Sequence, residues 1–280
     1  MNKIKDFKEN GFYIEKSVIP ISLQEELFLT FYDLALSSLN RNKIKLDFEI
    51  KNTNEVSFPN DVVILDKILS ALLEHSNDHI AEIYDTVAYS STFLKFISLP
   101  KIEGTVRELL SLKKHTPLYS ATHRIRMDFP KDVKRKAGWH QEIFYTLPEA
   151  RFLQTWAPVL RDSTVENGTL GICKKSHLNG IAEQTWEEER KDYATRITID
   201  EKVIEQYEQI DVSMELGDVI YFDPHLIHRS GYNSSQQVRY SQVGMWNDCS
   251  YKDFRAPKPD FISRTISLRE NYEKYKNSIK

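Results

Sequence analysis

A change of pattern at about residue 118 restricts the possible folds of this chain more than any other feature. From there on, short segments rich in β-branched and aromatic residues alternate with turn-prone stretches. They read HRIRMDF, EIFYT, FLQTWAPVL, GDVIYF and QVRYSQVGMW. Short strands at this spacing are typical of an antiparallel sandwich or barrel. The pattern therefore predicts a mainly β core in the second part of the chain.

The first 117 residues follow a helical pattern instead. Leu27, Phe31 and Leu34 recur at helical spacing, and a second apolar segment covers about residues 62–74. A length of 280 residues is within the range of one large domain, so we predict a single α+β domain over residues 1–280. Its predicted parts are a mainly helical buttress (1–117), a β core (118–250) with an insertion at 178–212, and a C-terminal tail (251–280).

Composition limits the partners of the protein. With 38 Lys and Arg residues against 41 Asp and Glu residues the net charge is −3, and no basic block is present that could follow a phosphate backbone. The most apolar stretch, residues 62–73, is too short to span a bilayer and is interrupted by Asp66 and Lys67. Cys173 and Cys249 are too few for a disulfide framework. These features predict a cytoplasmic protein with no nucleic-acid or membrane partner, and no pattern indicates an oligomeric state.

Two segments contain the candidates for chemistry. In GWHQEIFYT, His140 and Glu142 are two positions apart, so on a strand both side chains would point to the same side. His228 follows an apolar strand pattern in GDVIYFDPHLIHRSG. Two imidazoles and one carboxylate leave three positions of an iron ion open, as in the non-haem Fe(II) oxygenases. We therefore predict a catalytic metal site of His140, Glu142 and His228.

An oxygenase of this type also needs a group that holds the far carboxylate of a 2-oxo acid cosubstrate. Arg239 lies eleven positions after His228, on the next predicted strand. A guanidinium binds a carboxylate through two parallel hydrogen bonds. The hydroxyl group of Ser230 can add a further hydrogen bond. Arg239 and Ser230 are therefore the predicted cosubstrate residues.

In these residues and their order, the sequence resembles the phytanoyl-CoA dioxygenase (PhyH-like) family of Fe(II)- and 2-oxoglutarate-dependent oxygenases. The resemblance covers roughly residues 120–248. In that family a His-x-Asp motif and a distant His bind the iron. An Arg that follows the distant His by about eleven residues, as Arg239 follows His228, binds 2-oxoglutarate. The residues at these places are His140, Glu142, His228 and Arg239. Positions that match further cosubstrate contacts of the family are Gln141, Ser230 and Trp156.

The resemblance implies a double-stranded β-helix, a cupin-like jelly roll, with the N-terminal helices packed on the larger sheet. It also implies Fe(II), 2-oxoglutarate as cosubstrate and O2, and the hydroxylation of a small metabolite with release of succinate and CO2. Glu142 departs from the family pattern, which has Asp at this place. Because Glu is longer by one methylene group, the departure is either a tolerated variant or a cause of weakened iron binding.

Two other functions are compatible with some of these residues. Two His and one Glu with an open position also suit the catalytic zinc of a hydrolase, although the HExxH motif is absent. The second alternative is a non-catalytic β-helix protein that binds a ligand and has a weakened metal site. Neither alternative gives Arg239 a role.

The sequence contains one indication of the substrate. Basic residues near the predicted entrance favour an anionic small molecule, although most such residues are simply solvated. The basic residues are Arg124, Arg126, Lys131, Lys134 and Lys136. His225, three positions before His228, would lie on the opposite face of a regular strand and is predicted to be structural.

Overall fold

The computed structural model describes residues 3–132, 138–144, 151–186 and 197–254, together with residues 273 and 277. A layer of helices dominates the first part of the chain. The helices with defined bounds are α1 (Lys3–Asn10), α2 (Ile21–Asn42), α3 (Val62–His75), α4 (Asn77–Ala88), α5 (Ser91–Ile97), α6 (Pro100–Leu109) and α7 (Glu201–Ile204). Within the described residues, no helix is long and apolar enough to cross a membrane.

Local sequence explains where several helices begin. The Ser76 hydroxyl accepts a hydrogen bond from the backbone N–H of Asp78 at the start of α4, and Ser90 accepts one from Phe93 at the start of α5. Pro100 occupies the first turn of α6, where a backbone N–H group would have no partner within the helix, so the missing N–H of proline costs nothing. Helices α2 to α6 bury apolar side chains in one cluster, which includes Leu27, Phe31, Leu65, Leu69, Ile83, Phe93 and Val106.

The strands within the described residues form three antiparallel sheets. Their bounds are β1 (Phe12–Glu15), β2 (Leu118–Asp128), β3 (Phe152–Val159), β4 (Leu170–Cys173), β5 (Gln184–Trp186), β6 (Ile197–Ile199), β7 (Gln209–Val212), β8 (Val219–Phe222), β9 (His228–Ser230) and β10 (Arg239–Asp248). The larger sheet has the order β1-β8-β3-β10-β2, the smaller sheet has the order β7-β4-β9, and β5 pairs with β6. The predicted double-stranded β-helix with helices on its larger sheet is confirmed.

Side chains alternate along β2 and β10 between the two faces of the larger sheet. Ile125 and Tyr240 are fully or almost fully buried in the same apolar cluster as the helices. Arg124, Arg126 and Val243 line a cavity on the opposite side. We call these two sides the helix face and the cavity face. The helix face anchors the sheet, and the cavity face carries the polar groups.

A buried carboxylate connects the helix layer to the helix face. Asp66 of α3 accepts a hydrogen bond of 2.8 Å from the Tyr240 hydroxyl and one of 2.7 Å from Nη1 of Arg161. Burial raises the pKa of Asp66, although the charge of Arg161 acts in the opposite direction. These bonds hold α3 over β10, so the cavity face is supported from behind.

Two segments differ from the sequence prediction. The part predicted as a mainly helical buttress (1–117) also contributes β1, which pairs with β8 over all four of its residues. The segment predicted as an insertion (178–212) ends in β7, which pairs with β4 in the smaller sheet. Both strands have only four residues, which is the lower limit at which a strand pattern can be recognised. Most of the predicted tail (251–280) lies outside the described residues.

Candidate functional site

Two backbone segments bring the predicted metal ligands together. His140 and His228 form an isolated antiparallel bridge, in which each backbone N–H donates to the carbonyl oxygen of the other, at 2.9 and 3.0 Å. The centroids of the two imidazoles are 4.3 Å apart. Glu142 does not continue a strand but begins a 3-10 turn, Glu142–Phe144. The predicted common strand for His140 and Glu142 is therefore wrong, and a turn directs the carboxylate towards the imidazoles.

Backbone carbonyl groups fix the tautomers of both imidazoles. Nδ1 of His140 donates to the carbonyl oxygen of Gly138 at 2.7 Å, and Nδ1 of His228 donates to that of Leu226 at 2.9 Å. In the neutral imidazole the other nitrogen, Nε2, then has a free lone pair. The Nε2 atoms of His140 and His228 lie 3.8 and 3.5 Å from Oε2 of Glu142. The three potential ligand atoms all lie within 4.8 Å of one another.

The protonation states suit a divalent ion. Burial, together with the neighbouring His228, lowers the pKa of His140 to about 4, so its imidazole is neutral at pH 7. Burial raises the pKa of Glu142, but contacts with both imidazoles and the charge of Arg124 outweigh this effect and hold the pKa below its usual value. Neutral imidazoles and an ionised carboxylate are the forms in which these side chains bind metals. The donor set fits the Fe(II) that the sequence predicts.

Arg239 lies next to this cluster, on the cavity face of β10. Its side chain is only 2% exposed, and its Nη2 donates to Oδ2 of Asp128 and to Oγ of Ser230, both at 2.6 Å. Arg239 and Asp128 are directly opposite each other on β10 and β2. Burial alone would raise the pKa of Asp128, but Arg126 and Arg239 lower it to about 2. The carboxylate is therefore ionised and holds the guanidinium in one position.

The remaining donors of Arg239 indicate a missing acceptor. Its Nε and Nη1 atoms are buried and have no hydrogen-bond partner among the described residues. A buried donor without a partner costs roughly 1 to 3 kcal/mol, so such a group in a folded protein calls for an explanation. Each of these N–H groups can donate a charge-assisted hydrogen bond to an anionic oxygen. The arrangement is therefore suited to the far carboxylate of 2-oxoglutarate.

A cavity of about 180 Å³ joins the parts of the site. The predicted site residues that line it are His140, Glu142, Trp156, His228 and Ser230. Arg239 lies behind Ser230, to which it is hydrogen bonded. The other lining residues are Arg124, Arg126, Gln154, Leu170, Phe222 and Val243. Six of the seven predicted site residues are thus brought together.

Gln141 is the predicted site residue that the structure directs elsewhere. Its side chain is completely buried, and Nε2 donates to the carbonyl oxygens of Gly180 and His225. Its Oε1 accepts a hydrogen bond from the backbone N–H of Ala182 at 3.0 Å. These backbone contacts engage both ends of the amide, so Gln141 connects its own loop to the loop of Gly180 and Ala182 and to the loop of His225. Its side chain does not line the cavity. His225, predicted to be structural, contacts the Asp223 carboxylate at 3.0 Å.

Two residues of the site, Asp128 and Gln154, are not among those predicted from the sequence. Asp128 continues the alternation of Arg124 and Arg126 on β2, so its charge lies on the same face, and this spacing was the available signal. Gln154 lies two positions before Trp156, on the same face of β3. Its Oε1 is buried without a partner in the described part of the chain. Arg124 and Arg126 line the cavity rather than an ordinary solvated face.

Comparisons with solved structures show the same fold. The non-heme monooxygenase ThoJ, in its apo form, has a TM-score of 0.56 and 15% identity, with 99% of this chain and 94% of that chain covered. EctD from S. alaskensis, with 2-oxoglutarate and 5-hydroxyectoine, has a TM-score of 0.55 and 17% identity over 95% and 85% of the two chains. EvdO2 from Micromonospora carbonacea var. aurantiaca, complexed with 2-oxoglutarate, has a TM-score of 0.52 and 14% identity over 94% and 96%.

The sequence itself matches a protein family. The model of the family described as phytanoyl-CoA dioxygenase (PhyH) covers residues 70–241, which is more than half of the chain. This region contains the four residues that carry the predicted motif, from His140 to Arg239. The chain therefore belongs to the phytanoyl-CoA dioxygenase family and is an oxidoreductase that uses Fe(II), 2-oxoglutarate and O2.

Proposed function

We propose that this protein is a 2-oxoglutarate-dependent dioxygenase that hydroxylates a small metabolite. In this proposal His140, Glu142 and His228 hold Fe(II), and Arg239 with Ser230 holds the far carboxylate of 2-oxoglutarate. One observation carries the proposal: two imidazole nitrogens and a carboxylate converge within 4.8 Å, next to a buried guanidinium with two donors that have no partner in the described part of the chain. A metal site alone would not account for the guanidinium.

The longer side chain of Glu142 is compatible with iron binding. Its Oε2 atom lies within 3.8 Å of the Nε2 atoms of both imidazoles, so the carboxylate reaches the point on which they converge. Glu142 starts a turn, so its backbone is not held in the geometry of a strand. This geometry favours a tolerated variant over a weakened site.

When both are bound, Fe(II) and 2-oxoglutarate would allow O2 to oxidise a C–H bond of the substrate, and 2-oxoglutarate would be converted into succinate and CO2. The protein contributes orientation. The carbonyl groups of Gly138 and Leu226 keep both Nε2 atoms free for the metal. Asp128 and Ser230 fix the guanidinium of Arg239. Apolar side chains line part of the cavity, and they include Leu170, Phe222 and Val243.

The two alternative functions explain fewer of these contacts. A zinc hydrolase would use the same three ligands, but it would leave the unpartnered donors of Arg239 without a purpose. A non-catalytic binding protein would not need both imidazoles to be held as metal-binding tautomers. Membership of the phytanoyl-CoA dioxygenase family also favours the oxygenase.

An anaerobic titration with Fe(II) and 2-oxoglutarate tests the proposal. We expect the weak visible charge-transfer band of an iron-bound 2-oxo acid, at roughly 500 nm. The band should be absent in His140→Ala and should require much more 2-oxoglutarate in Arg239→Gln. His225→Ala is the matched control, because this histidine contacts Asp223 and does not line the cavity, so it should keep the band. A folded wild-type protein that forms no band would contradict the proposal.

A further inference from the structure

The cavity contains a cation that the proposed mechanism does not use. Arg124, Arg126 and Asp128 alternate along β2 and therefore share the cavity face. Solvent exposure increases along this row: the Arg239 side chain, opposite Asp128, is 2% exposed, the Arg126 side chain is 25% exposed, and Arg124 is an exposed residue. Because Arg124 also lines the cavity, it lies at the mouth, while Arg239 lies at the inner end.

The three arginines differ in their partners. Arg239 pairs with Asp128 at 2.6 Å, and Arg126 pairs with the same carboxylate at 2.9 Å. Asp128 therefore serves two guanidinium groups. Arg124 makes no hydrogen bond or ion pair with any residue that the structure describes. Its guanidinium is available to a ligand at the mouth of the cavity.

Cations outnumber carboxylates among the described residues of the cavity. Arg124, Arg126 and Arg239 lie there together with two carboxylates, those of Asp128 and Glu142. The two positive charges of Fe(II) and the two negative charges of 2-oxoglutarate cancel each other, so cofactor binding does not change this excess. A guanidinium that lines a cavity favours an anion, especially a carboxylate or phosphate that can accept two hydrogen bonds. The excess charge lies at the mouth, where the primary substrate must enter.

A second group in the cavity also lacks a partner. Gln154 is 7% exposed, lines the same cavity, and its Oε1 has no hydrogen-bond donor among the described residues. A buried amide oxygen is stabilised by an N–H or O–H donor. Arg124 can donate to an anionic group, and Gln154 lacks a donor among the described residues, so a molecule with an anionic group and a hydrogen-bond donor would contact both side chains.

We infer that the primary substrate carries an anionic group, a carboxylate or a phosphate, which Arg124 binds at the mouth of the cavity. A hydroxyl or amine group of the same molecule donates to Oε1 of Gln154. This inference rests on the proposed oxygenase function and specifies the substrate class of that site. Arg124 is then a specificity-determining residue, and the cosubstrate depends on Arg239 instead.

Four small molecules test whether the charge of a ligand or its shape determines binding. The anionic probes are 4-hydroxybutyrate and glycerol 3-phosphate, and their uncharged counterparts are 4-hydroxybutyramide and glycerol. Each is titrated by calorimetry into the anaerobic protein with Fe(II) and 2-oxoglutarate, and the charge-transfer band is recorded in parallel. We expect at least one anion to bind and to shift the band, while its uncharged counterpart binds at least about tenfold more weakly. Whichever anion binds identifies the carboxylate or the phosphate as the recognised group.

Variants assign the binding to Arg124. Arg124→Gln should raise the Kd of the anion at least about tenfold, and Arg124→Lys should have a smaller effect because it keeps the charge. Arg41→Gln removes a positive charge from α2, where Arg41 pairs with Glu82, and should leave the Kd unchanged. The charge-transfer band of both Arg124 variants is recorded without the anion, because the charge of Arg124 also lowers the pKa of Glu142.

Three outcomes would overturn the inference. The first is that neither anion binds more tightly than its uncharged counterpart. The second is that Arg124→Gln leaves the affinity for the anion unchanged. The third is that 2-oxoglutarate competes with the anion, which would place the anion at Arg239. The proposed function fails separately, by the absence of the band from the wild-type protein. The calorimetric comparison of wild type and Arg124→Gln still tests the anion site in that case.

Discussion

The two faces of the larger sheet use the same strands for opposite purposes. On the helix face, Ile125 and Tyr240 are buried in the apolar cluster, and the Tyr240 hydroxyl donates to Asp66. On the cavity face, the neighbouring Arg124 has no partner in the described chain, and Arg239 keeps two unpartnered donors. Adjacent residues of one strand therefore differ. One is packed in the apolar cluster, and the next has hydrogen-bond donors without a partner among the described residues.

This difference shows how the fold tolerates its site. Each buried polar group without a partner costs roughly 1 to 3 kcal/mol, and the cavity face has such groups on Gln154, Arg239 and Ser241. The helix face offsets this cost, because burial of each large apolar side chain contributes about 1.5 to 3 kcal/mol. We therefore expect changes on the helix face to alter stability and changes on the cavity face to alter ligand binding.

The largest effect is expected for Ile125→Ala on the helix face. Ile125 is 2% exposed, and its truncation leaves a cavity between the sheet and the helices, so the free energy of unfolding should fall by about 2 to 5 kcal/mol. Urea denaturation measures this loss. The folded variant should bind 2-oxoglutarate as the wild type does. The adjacent Arg124→Gln should change stability by no more than about 0.5 kcal/mol. Weak 2-oxoglutarate binding by folded Ile125→Ala would show that the two faces are not independent.

Arg239→Lys should change cosubstrate binding more than stability. Lysine keeps a positive charge near Asp128 but lacks the two parallel donors of the guanidinium. We expect the affinity for 2-oxoglutarate to fall by about 10- to 100-fold, which corresponds to roughly 1.4 to 2.8 kcal/mol. The charge-transfer band provides the measurement. Arg161→Lys makes the same exchange at the Asp66 pair behind the sheet and should leave this affinity unchanged. Equal losses in both variants would contradict the assignment of Arg239.

Acid should destabilise the two faces in different pH ranges. Burial lowers the pKa of His123, whose ring contacts Trp246, to about 4, below the 6.5 of an unfolded chain. The unfolded state therefore takes up a proton first, and about 2 kcal/mol of stability is lost as the pH falls from about 6.5 to 4. The pKa of Asp128 is about 2, so its contribution is lost between about pH 4 and 2.

Urea midpoints measured from pH 7 to pH 2 test this separation. His123→Gln should remove part of the decline in the upper range, and Asp128→Asn should remove part of the decline in the lower range. The comparison concerns the slopes, because Asp128→Asn also loses two ion pairs at every pH. Identical slopes for the wild type and His123→Gln between pH 6.5 and 4 would show that this histidine is not held neutral by the fold.

The smallest effect is expected for Ser241→Ala on the cavity face. The hydroxyl of Ser241 is buried without a partner among the described residues, so its removal should be neutral or should stabilise the protein by up to about 1 kcal/mol. Ser235→Ala is the contrasting control, because that hydroxyl donates to Asn233 and accepts from the N–H of Gln237. The control should lose about 1 kcal/mol in urea denaturation. A comparable loss in Ser241→Ala would mean that its hydroxyl has a stabilising contact.

Sequence patterns predicted the helix layer, the β core and the three ligand candidates, because periodicity and residue type are local properties. They did not predict how Glu142 reaches the imidazoles. The turn at Glu142 is held by a hydrogen bond from Ile143 to the carbonyl of Pro224, and His140 is held by its bridge to His228. Gln141 illustrates the same limit, since its backbone partners come from Gly180, Ala182 and His225.

The sequence by itself determined which side chains share a face of a strand, and thus that Arg124, Arg126 and Asp128 lie on one side of β2. Only the tertiary structure decided that these arginines are not equivalent. Asp128 receives a second cation because antiparallel pairing places Arg239, 111 residues later, directly opposite it. Hydrogen bonding and burial depend on such long-range contacts, and the local pattern that sets the strand carries no information about them. That the guanidinium of Arg124 and two donors of Arg239 have no partner among the described residues is therefore visible only when the sheets are closed.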